Sequence, residues 1–548
     1  MTSSYDDARA ALASWRDELP ADPYAADWAL RALIDTSVPD VARREELTAR
    51  ASAFGRAVIG TIAPAATRYE QCGHTPELAK YDGIGRRVER VNFDGTYHDA
   101  GAAVWASGLV ADSGTPGRAF EQAVLLYLLS LEGEAGHACP AVCTIGLARA
   151  LRRRADDATQ AQFLAPLLER DYARTQRGSQ FLTEVQGGSD VGANACTAEP
   201  VGDGSYRISG EKWFCSVADA DQFLVTARPV GAAAGTRGLG CFTIPRRLDG
   251  APNGFSLRRL KDKLGTRGLA SGEIDFDRAL AWPIGPVDEG FKTAVGIVLN
   301  TSRWLTAVGA TGMMRRAVLE ATAYARHRRA FGQPIAEFPL VQRTLASMTA
   351  EWLAALHLSW VLTELEDAID GGDADEETVL YHRFCVNVVK YATSITATRV
   401  VRDGIEILGG NGTIEDFSVL PRLYRDAIVY ESWEGTHNVI AQQVLNDCSR
   451  LPLLDVVADR IERAGVAAVA EPAKQAVLDA HRALDDPAWG AWNFRSVLDR
   501  LARVIACTSL LSRGAGTPAE AAGELLLHGP DDEPDLAASC AAILAPPS

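Results

Sequence analysis

Residues 182–216 read LTEVQGGSDVGANACTAEPVGDGSYRISGEKWFCS and mark a change in the hydrophobic period of the chain. From about Gly187, short runs that alternate apolar and polar residues are separated by Gly, Asp and Pro, which is typical of antiparallel strands. The runs DQFLVTAR, LGCFTIP and GEIDF continue this pattern downstream. The sequence therefore predicts a small antiparallel β domain over residues 180–290.

The segments on either side of this β domain have apolar residues three and four positions apart, the period of an amphipathic helix. Upstream, we expect an N-terminal helical domain over residues 100–179, preceded by an extension or arm over residues 1–99. Downstream, four long helical segments broken at FGQP, DGGDAD and LGGNG predict a four-helix bundle over residues 291–447. Further helical patterns predict an extra C-terminal helical domain over residues 448–548. The expected fold class is α+β with several domains.

The charge of the chain bears on its partners. Its 548 residues include 55 Lys and Arg against 71 Asp and Glu, a net charge of −16, which repels phosphate backbones at long range. Residues 451–548 hold eight basic and fourteen acidic side chains. These counts argue against nucleic acid as a partner, although arginines gathered across subunits would still permit it.

Location and metal content are the next expectations. The N-terminus, MTSSYDDARAALASW, lacks the basic start and apolar run of a signal peptide, and no apolar stretch reaches the ~20 residues of a membrane span. We expect a cytoplasmic protein that binds no membrane. None of the ten cysteines falls in C-x-x-C spacing, and we expect Cys139 and Cys143 to be core thiols. No metal site is predicted.

The stretch at residues 182–216 also carries the first candidate site. Thr183, Ser189, two adjacent glycines and the strand around Trp213 would present N–H and O–H donors to a flat heterocycle and a phosphate. The alternative is a plain Gly-rich turn between strands. These residues taken alone favour that alternative, because short Gly-rich matches are common.

A basic helix end, YARHRRAFGQPI at residues 324–335, is the second candidate. The helix macrodipole alone favours cations near a C-terminus, so Arg326, Arg328 and Arg329 would be accounted for as a solvated face. A phosphate-binding arginine is the alternative.

The third candidate is GIEILGGNGTIEDFSVLPRLYRDAIVYESWEGTHNVI, residues 404–440. Its LGG run lets a backbone approach a ligand closely. Glu434, in the run WEGT, lies where its neighbours would desolvate it and raise its pKa towards that of a useful base. A carboxylate at a helix start is the commoner alternative.

In order and approximate separation, these segments resemble the acyl-CoA dehydrogenase superfamily. The shared motifs are T-E-x-x-x-G-S-D, W-x-x-S/N, R-x-x-F-G-x-P, L-G-G-x-G, R-D-A and E-G-T, spread over roughly residues 180–445. The upstream runs TPELAKYDGIGRRVERVNFDGTYHD and EGEAGHACPAVCT, the tryptophan of WEGT and the C-terminal extension are similar to the AidB-type branch. The resemblance implies the acyl-CoA dehydrogenase fold: an N-terminal helical domain, a middle antiparallel β domain and a C-terminal four-helix bundle, with an extra C-terminal helical domain.

The resemblance also implies bound FAD. Arg328 and Gln342 would reach the FAD of a neighbouring subunit, which implies a homotetramer. The implied cofactor-binding residues are Leu182, Thr183, Gly188, Ser189, Trp213, Cys215, Ser216, Arg328, Phe331, Gln342, Gly409, Gly410, Thr436 and Asn438.

Glu434 is implied as the catalytic base that removes the substrate α-proton, while the flavin accepts the β-hydride. Asn300 and Arg303 are the implied substrate contacts, and Ser302 excludes the alternative base position of some relatives. Two departures stand out. Cys215 replaces the usual Thr donor, and Asn300 replaces an acidic pantetheine contact, which leaves recognition of CoA open.

Three functions stay open from the sequence. The one we expect is FAD-dependent dehydrogenation of an acyl thioester or a related small substrate. The alternatives are an AidB-like alkylation-stress protein that binds DNA or detoxifies alkylating agents, and a flavoenzyme that acts on a carrier-bound or nitrogen-containing metabolite. Fold-level analogy cannot choose among these substrates.

Overall fold

Helices form most of the N-terminal region of the computed structural model, which describes residues 2–70, 73–529 and 533–545. Three of these helices begin at an aspartate whose carboxylate accepts a backbone N–H of the first turn: Asp27, Asp94 and Asp156. The predicted extension over residues 1–99 thus folds into helices and a hairpin. The elements are α1 Thr2–Ala13, α2 Trp28–Ser37, α3 Val41–Ala57, α4 Ala63–Tyr69, β1 Glu77–Tyr81, β2 Arg87–Asn92, α5 Gly95–Ala106, α6 Ala119–Leu129, α7 Ala138–Arg154 and α8 Asp157–Phe163.

The predicted β domain is present as a seven-stranded sheet with one separate two-stranded ladder, β8–β9. Its strands are β3 Gly178–Phe181, β4 Thr197–Pro200, β5 Tyr206–Ser216, β6 Gln222–Pro229, β7 Gly240–Pro245, β8 Arg247–Leu248, β9 Ala251–Pro252, β10 Phe255–Leu260 and β11 Ser271–Pro283.

The strand pairings correct one detail of the prediction, because the sheet is mixed rather than wholly antiparallel. β6 pairs in parallel with both β3 and β4, while β4–β5, β5–β11, β10–β11, β6–β7 and β7–β11 are antiparallel. The pairings close a circuit β11–β5–β4–β6–β7–β11, which protects the sheet edges. Alternation along each strand could not reveal which strands run parallel, since that depends on the crossover connections.

A bulge in β5 changes which side chains point inward. The pairing with β11 shifts between Cys215 and Lys212, so Trp213 and Phe214 of β5 both stand opposite Glu273 of β11. Lys212 and Cys215 are therefore both fully buried, although three positions apart, while Trp213, Phe214 and Ser216 keep exposed surface.

Long helices dominate the C-terminal half, in agreement with the predicted bundle segments near 291–328, 338–370, 375–408 and 435–447. Helix α13 was not predicted as a helix. The elements are α9 Gly290–Thr293, a π-helical segment Ala294–Leu299, α10 Asn300–His327, β12 Arg329–Ala330, β13 Gln333–Pro334, α11 Pro339–Gly371, α12 Glu376–Leu408, α13 Leu420–Ser432, α14 His437–Cys448, α15 Leu453–Ala464, α16 Ala470–Asp485, α17 Pro487–Arg513, α18 Pro518–His528 and α19 Leu536–Leu544.

The chain divides into two compact units. The bundle unit comprises Met1–Arg56, Ser130–Gly133 and Thr306–Ser548, and the sheet unit comprises Ala57–Leu129 and Glu134–Leu305. The sheet unit has a buried cluster that includes Leu147, Leu151, Leu224 and Ile284. The five-part domain division of the sequence analysis stays a prediction.

Membrane insertion is not suggested by any helix in the described part of the chain, because none is both long and apolar enough for a span. Cys139 and Cys143 are buried core thiols, as expected, with their Sγ atoms 3.7 Å apart.

Candidate functional site

In the sheet unit, the Gly-rich loop that follows β3 is fastened to strand β5. The backbone N–H of Trp213 donates to the Thr183 carbonyl at 3.0 Å. The Leu182 carbonyl accepts from Asn194 Nδ2 at 2.8 Å and from Lys212 Nζ at 3.4 Å. These bonds bring the predicted residues Leu182, Thr183 and Trp213 together.

A buried ion pair holds the same loop in shape. Lys212 Nζ lies 2.7 Å from Glu184 Oε1, and both side chains are at most 3% exposed. Glu184 also accepts from the Ala195 N–H at 2.6 Å and from Gln186 Nε2 at 2.7 Å. Burial alone would raise the pKa of Glu184, but the Lys212 charge and these hydrogen bonds bring that pKa below its usual value. Glu184 is therefore ionised at neutral pH and clamps both ends of the loop.

The tip of the loop offers polar groups to solvent. Gly188 lies against Thr183, since a Cβ on Gly188 would approach Thr183 Oγ1 to 2.8 Å. Ser189 is exposed, and Thr183 is half-buried. The loop thus presents two hydroxyls beside closely packed backbone, as the motif predicted.

Strand β5 presents an aromatic ring next to the loop. The ring of Trp213 is half-buried, and Lys261 Nζ lies 3.5 Å from its centroid. Ser216 keeps exposed surface at the end of the strand.

Cys215 is buried where the strand bulges. Its side chain is 0% exposed and its Sγ donates to the Lys212 carbonyl at 3.4 Å, while burial raises the pKa of the thiol. The place of Cys215 among the cofactor-binding residues stays a prediction, and the neighbouring Ser216 keeps exposed surface.

The start of α10 carries the two predicted substrate contacts. Asn300 is half-buried and its Nδ2 donates to the Gly296 carbonyl at 3.3 Å. Arg303 is 2% exposed and its guanidinium is therefore deep in the protein. Gln180 Nε2 donates to Ser302 Oγ at 2.8 Å, which joins this helix start to β3. The preceding π-helical segment is a local irregularity of a kind that is frequent at functional sites.

In the bundle unit, the predicted basic helix end lies on a tight turn. Helix α10 ends at His327, and Arg329–Ala330 pairs with Gln333–Pro334 around the turn. Arg326 pairs with Glu18, which supports the interpretation as a solvated helix end for that arginine. Arg328 is exposed and its guanidinium makes no ion pair with the residues described, so it stays available to a ligand or a second copy.

Phe331 at the tip of this turn is 97% exposed and has a left-handed backbone with φ +51°. Leu340, in the first turn of α11, is 77% exposed, and the neighbouring Gln342 is half-buried. Exposed large apolar side chains grouped in this way are typical of an interaction surface.

The LGG run ends helix α12. Gly409 is the C-cap with φ +62°, and a Cβ on Gly409 or Gly410 would meet no atom within 4 Å. The backbone is therefore accessible at Gly409 and Gly410, whose contact with a cofactor stays a prediction.

Glu434 lies in a four-residue connection between α13 and α14. Its φ is +57°, a left-handed conformation that costs a non-glycine residue roughly 1–3 kcal/mol. Gly435 follows with φ +108°, and Trp433 stacks on Tyr430 with ring centroids 4.7 Å apart. The side chain of Glu434 is half-buried.

A buried lysine holds this connection from both sides. Lys390 in α12 is 0% exposed, and its Nζ donates to the Glu431 carbonyl at 3.0 Å and to the Gly435 carbonyl at 3.1 Å. Because the two carbonyls flank Glu434, Lys390 fixes the backbone that carries the predicted base.

A second set of contacts joins the same two helix ends. His437 Nε2 lies 2.9 Å from Glu431 Oε2, and Thr398 donates to the other carboxylate oxygen. Burial alone would raise the pKa of Glu431, but the hydrogen bonds from His437 and Thr398 outweigh it and lower the pKa. Glu431 is therefore a charged anchor for the connection.

Thr436 and Asn438 begin helix α14. Thr436 is the N-cap, and its side chain makes no capping hydrogen bond. Asn438 is exposed, and its Oδ1 accepts from Arg495 Nη1 of α17 at 3.2 Å. The hydroxyl of Thr436 is thus available, whereas Asn438 already has a partner that the sequence did not predict.

Sequence reasoning missed the residues that position these sites: Lys212, Lys390, Glu431 and His437. Lys390 and Lys212 are lysines inside otherwise apolar or alternating runs, which was the only local signal. Their partners lie 28 to 45 positions away along the chain.

Three family models match the chain. The adaptive response protein AidB N-terminal domain matches residues 18–174, the acyl-CoA dehydrogenase middle domain matches 179–279, and the acyl-CoA dehydrogenase C-terminal domain matches 288–447.

Two curated proteins and one solved structure are among the similar ones. The putative acyl-CoA dehydrogenase AidB of Escherichia coli is 34% identical over 383 residues, which are 68% of this chain and 68% of that protein. The acyl-CoA dehydrogenase family member 11 of Caenorhabditis elegans is 34% identical over 388 residues, 68% of this chain and 62% of that protein. The structure of Caenorhabditis elegans ACDH-11 in complex with C11-CoA has a TM-score of 0.86 at 27% identity, covering 92% of this chain and 90% of that one.

Proposed function

This chain belongs to the acyl-CoA dehydrogenase family, with an AidB-type N-terminal domain, and from that premise we propose that it uses FAD to dehydrogenate an acyl-CoA thioester with Glu434 as base. Membership makes it an oxidoreductase of the acyl-CoA dehydrogenase type, which acts on CH–CH groups. The proposal adds the cofactor, the substrate class and the roles of individual residues.

The single observation behind the proposed role of Glu434 is the way in which the backbone around it is held. A carboxylate in an unfavourable left-handed backbone, with a buried lysine bound to the carbonyls on both sides, is an arrangement that fixes a side chain in place. Such strain persists only where the surroundings enforce it, and it is concentrated at active sites.

The residues present fit a flavin dinucleotide. In the sheet unit, the hydroxyls of Thr183, Ser189 and Ser216 and the ring of Trp213 provide donors and an aromatic surface. In the bundle unit, Arg328, the open backbone at Gly409–Gly410 and the unused Thr436 hydroxyl suit phosphate and ribose oxygens. Bound FAD would supply a hydride acceptor.

The part of this chain in the reaction is the proton transfer. The Glu434 carboxylate would take the proton from the carbon next to the thioester carbonyl, and the hydrogen on the following carbon leaves as hydride. Lys390 would hold the backbone that carries the carboxylate at one position throughout, which lowers the entropy lost on reaching the transition state. Asn300 and Arg303 would orient the substrate. The C11-CoA complex of the nematode relative supports an acyl-CoA as the substrate class.

We also propose a homo-oligomer, with a tetramer as the family resemblance implies. The exposed Phe331 and Leu340 support it, because a second copy would cover them. The cytoplasmic location stays a prediction.

The DNA-binding alternative has no comparable support. Of the eight basic residues within 451–548, Arg460, Arg463, Arg500, Arg503 and Arg513 form ion pairs with carboxylates. Paired guanidiniums release fewer counterions from DNA than free ones. No structural observation favours a carrier-bound or nitrogen-containing substrate.

The experiment is a visible spectrum of the purified protein followed by anaerobic titration with short, branched, aromatic and medium-chain acyl-CoAs. We expect an oxidised flavin band that one or more thioesters bleach, and free CoA serves as the control. A protein that binds FAD but is reduced by no thioester contradicts the acyl-CoA proposal, and a protein without flavin contradicts the cofactor.

A further inference from the structure

A half-open cavity of about 250 Å³ lies in the bundle unit. It lies between α11, α12 and α17 with Leu526 of α18 on one side, and its mouth is open to solvent, where Arg399, Arg495 and Asp499 are exposed. Small apolar side chains form much of its wall, including Ala354, Ala355, Ala502 and Ala506. The cavity is near the small end of ligand pockets, which are roughly 300–1,000 Å³, so its occupant would be a small molecule.

The rest of the wall is charged, with an excess of positive groups. Arg399, Arg495 and Arg503 line the cavity together with the carboxylates Glu351 and Asp499. Three guanidiniums against two carboxylates leave one uncompensated positive charge. Such a balance favours a monovalent anion.

The pairing inside the wall leaves donors unused. Glu351 is shared between Arg503 at 3.4 Å and Arg399 at 4.0 Å, both longer than the 2.7–2.9 Å typical of a charge-assisted hydrogen bond. Asp499 accepts instead from the buried Tyr391 hydroxyl at 2.8 Å. Loosely held guanidiniums of this kind are suited to bind a planar carboxylate through two parallel N–H···O bonds.

Two wall residues also contact the connection that carries Glu434. The ring of Tyr391 meets that of His437 edge to face, with centroids 5.5 Å apart, and Arg495 donates to Asn438. His437 and Asn438 are the first two residues of α14. The cavity wall is therefore in direct contact with the helix that begins three residues after Glu434.

We infer that this cavity is a binding site for a small aliphatic carboxylate, with the carboxylate on the arginines and the alkyl chain against the alanines. Its occupancy would draw Arg495 away from Asn438 and loosen the start of α14. On the premise of the proposed function, the ligand lowers the rate of flavin reduction by acyl-CoA. A short-chain organic acid would thus act on the base without entering the active site.

Binding is measured first, by isothermal titration of the full-length holoprotein with sodium hexanoate. We expect saturable 1:1 binding, at least tenfold tighter than acetate, because only hexanoate fills the apolar part of the cavity. Inorganic phosphate is titrated in parallel to separate carboxylate recognition from a general anion effect.

Two variants remove the site in different ways. Arg503→Gln removes charge, and Ala502→Leu keeps all the charge and fills the volume, so each should weaken hexanoate binding at least tenfold. Arg500→Gln is the matched control, because Arg500 lies on the same helix α17 but pairs with Asp479 outside the cavity. It should bind hexanoate as the wild type does.

The proposed effect of the bound carboxylate on catalysis is tested by measuring the rate of flavin reduction with and without saturating hexanoate. We expect at least a threefold slower rate in the wild type and no effect in Ala502→Leu. An absence of saturable hexanoate binding overturns the inference, as does binding that neither variant weakens. The inference is also overturned if the protein binds phosphate as tightly as hexanoate, or if the only effect of Arg503→Gln is a loss of DNA binding. Since binding is read without any reaction, a protein that binds hexanoate but reduces no flavin refutes the proposed function and not the site.

Discussion

Replacing Lys390 by methionine removes the donor that holds both sides of Glu434 and keeps the length of the side chain. Hydrogen bonds from a charged group contribute about 1.5–3 kcal/mol each, and Lys390 makes two to this connection. They oppose the roughly 1–3 kcal/mol by which the left-handed backbone of Glu434 is disfavoured. Without them, Glu434 would relax to a negative φ for most of the time.

The expected magnitude follows from this balance. A loss of about 1.4–2.8 kcal/mol in the preference for the competent conformation lowers its population roughly 10- to 100-fold. We expect flavin reduction by saturating acyl-CoA, followed by anaerobic stopped flow, to slow by that factor at unchanged FAD content. The control is Lys474→Met, an exposed lysine on α16. A Lys390→Met rate within twofold of the wild type would refute the positioning role.

Two buried histidines, the ion pair of Lys212 with Glu184, and the exposed Phe331 give the remaining predictions. His137 and His357 are buried, and burial lowers the pKa of each to about 3 from 6.5. As the pH falls, these histidines therefore take up protons in the unfolded chain before they do so in the folded protein. The free energy of unfolding should fall below pH 6.5, by about 2 kcal/mol per histidine at pH 5. Urea unfolding at pH 7.5 and pH 5 measures this, and equal midpoints would contradict it. Lys212→Met should destabilise the protein by roughly 3–5 kcal/mol and release FAD, because Glu184 is left charged and buried. Adding Glu184→Gln to this variant should restore much of the thermal stability. If it restores none, the ion pair of Lys212 with Glu184 does not have the proposed role. Phe331→Glu should shift the oligomer towards smaller species in light scattering, and an unchanged mass would count against Phe331 as a subunit contact.

The β domain and the bundle helices could be predicted because each depends on a local hydrophobic period. The strands after Gly187 alternate, and segments such as Pro339–Gly371 repeat every three to four residues over many turns. Helix Leu420–Ser432 was missed because its proline and its many polar residues obscure the period, although proline is well tolerated in a first turn.

The motifs of the candidate site could be predicted from the sequence, but the residues that hold these motifs in position could not. Thr183, Gly409 and Glu434 stand in recognisable runs, whereas Lys212 and Lys390 gain meaning only from partners distant in sequence. The burial of Cys215 could not be predicted for a related reason, because a bulge that depends on the pairing with β11 sets the side on which it lies.

The most direct test of the account is flavin reduction in Glu434→Gln, with the acyl-CoA that bleaches the wild type. General base catalysis contributes typically 10²–10⁴-fold, so we predict a rate at least about 100-fold slower, with FAD content and melting temperature unchanged. Reduction of the variant flavin at the wild-type rate would show that another group takes the proton, and would contradict the central role of Glu434.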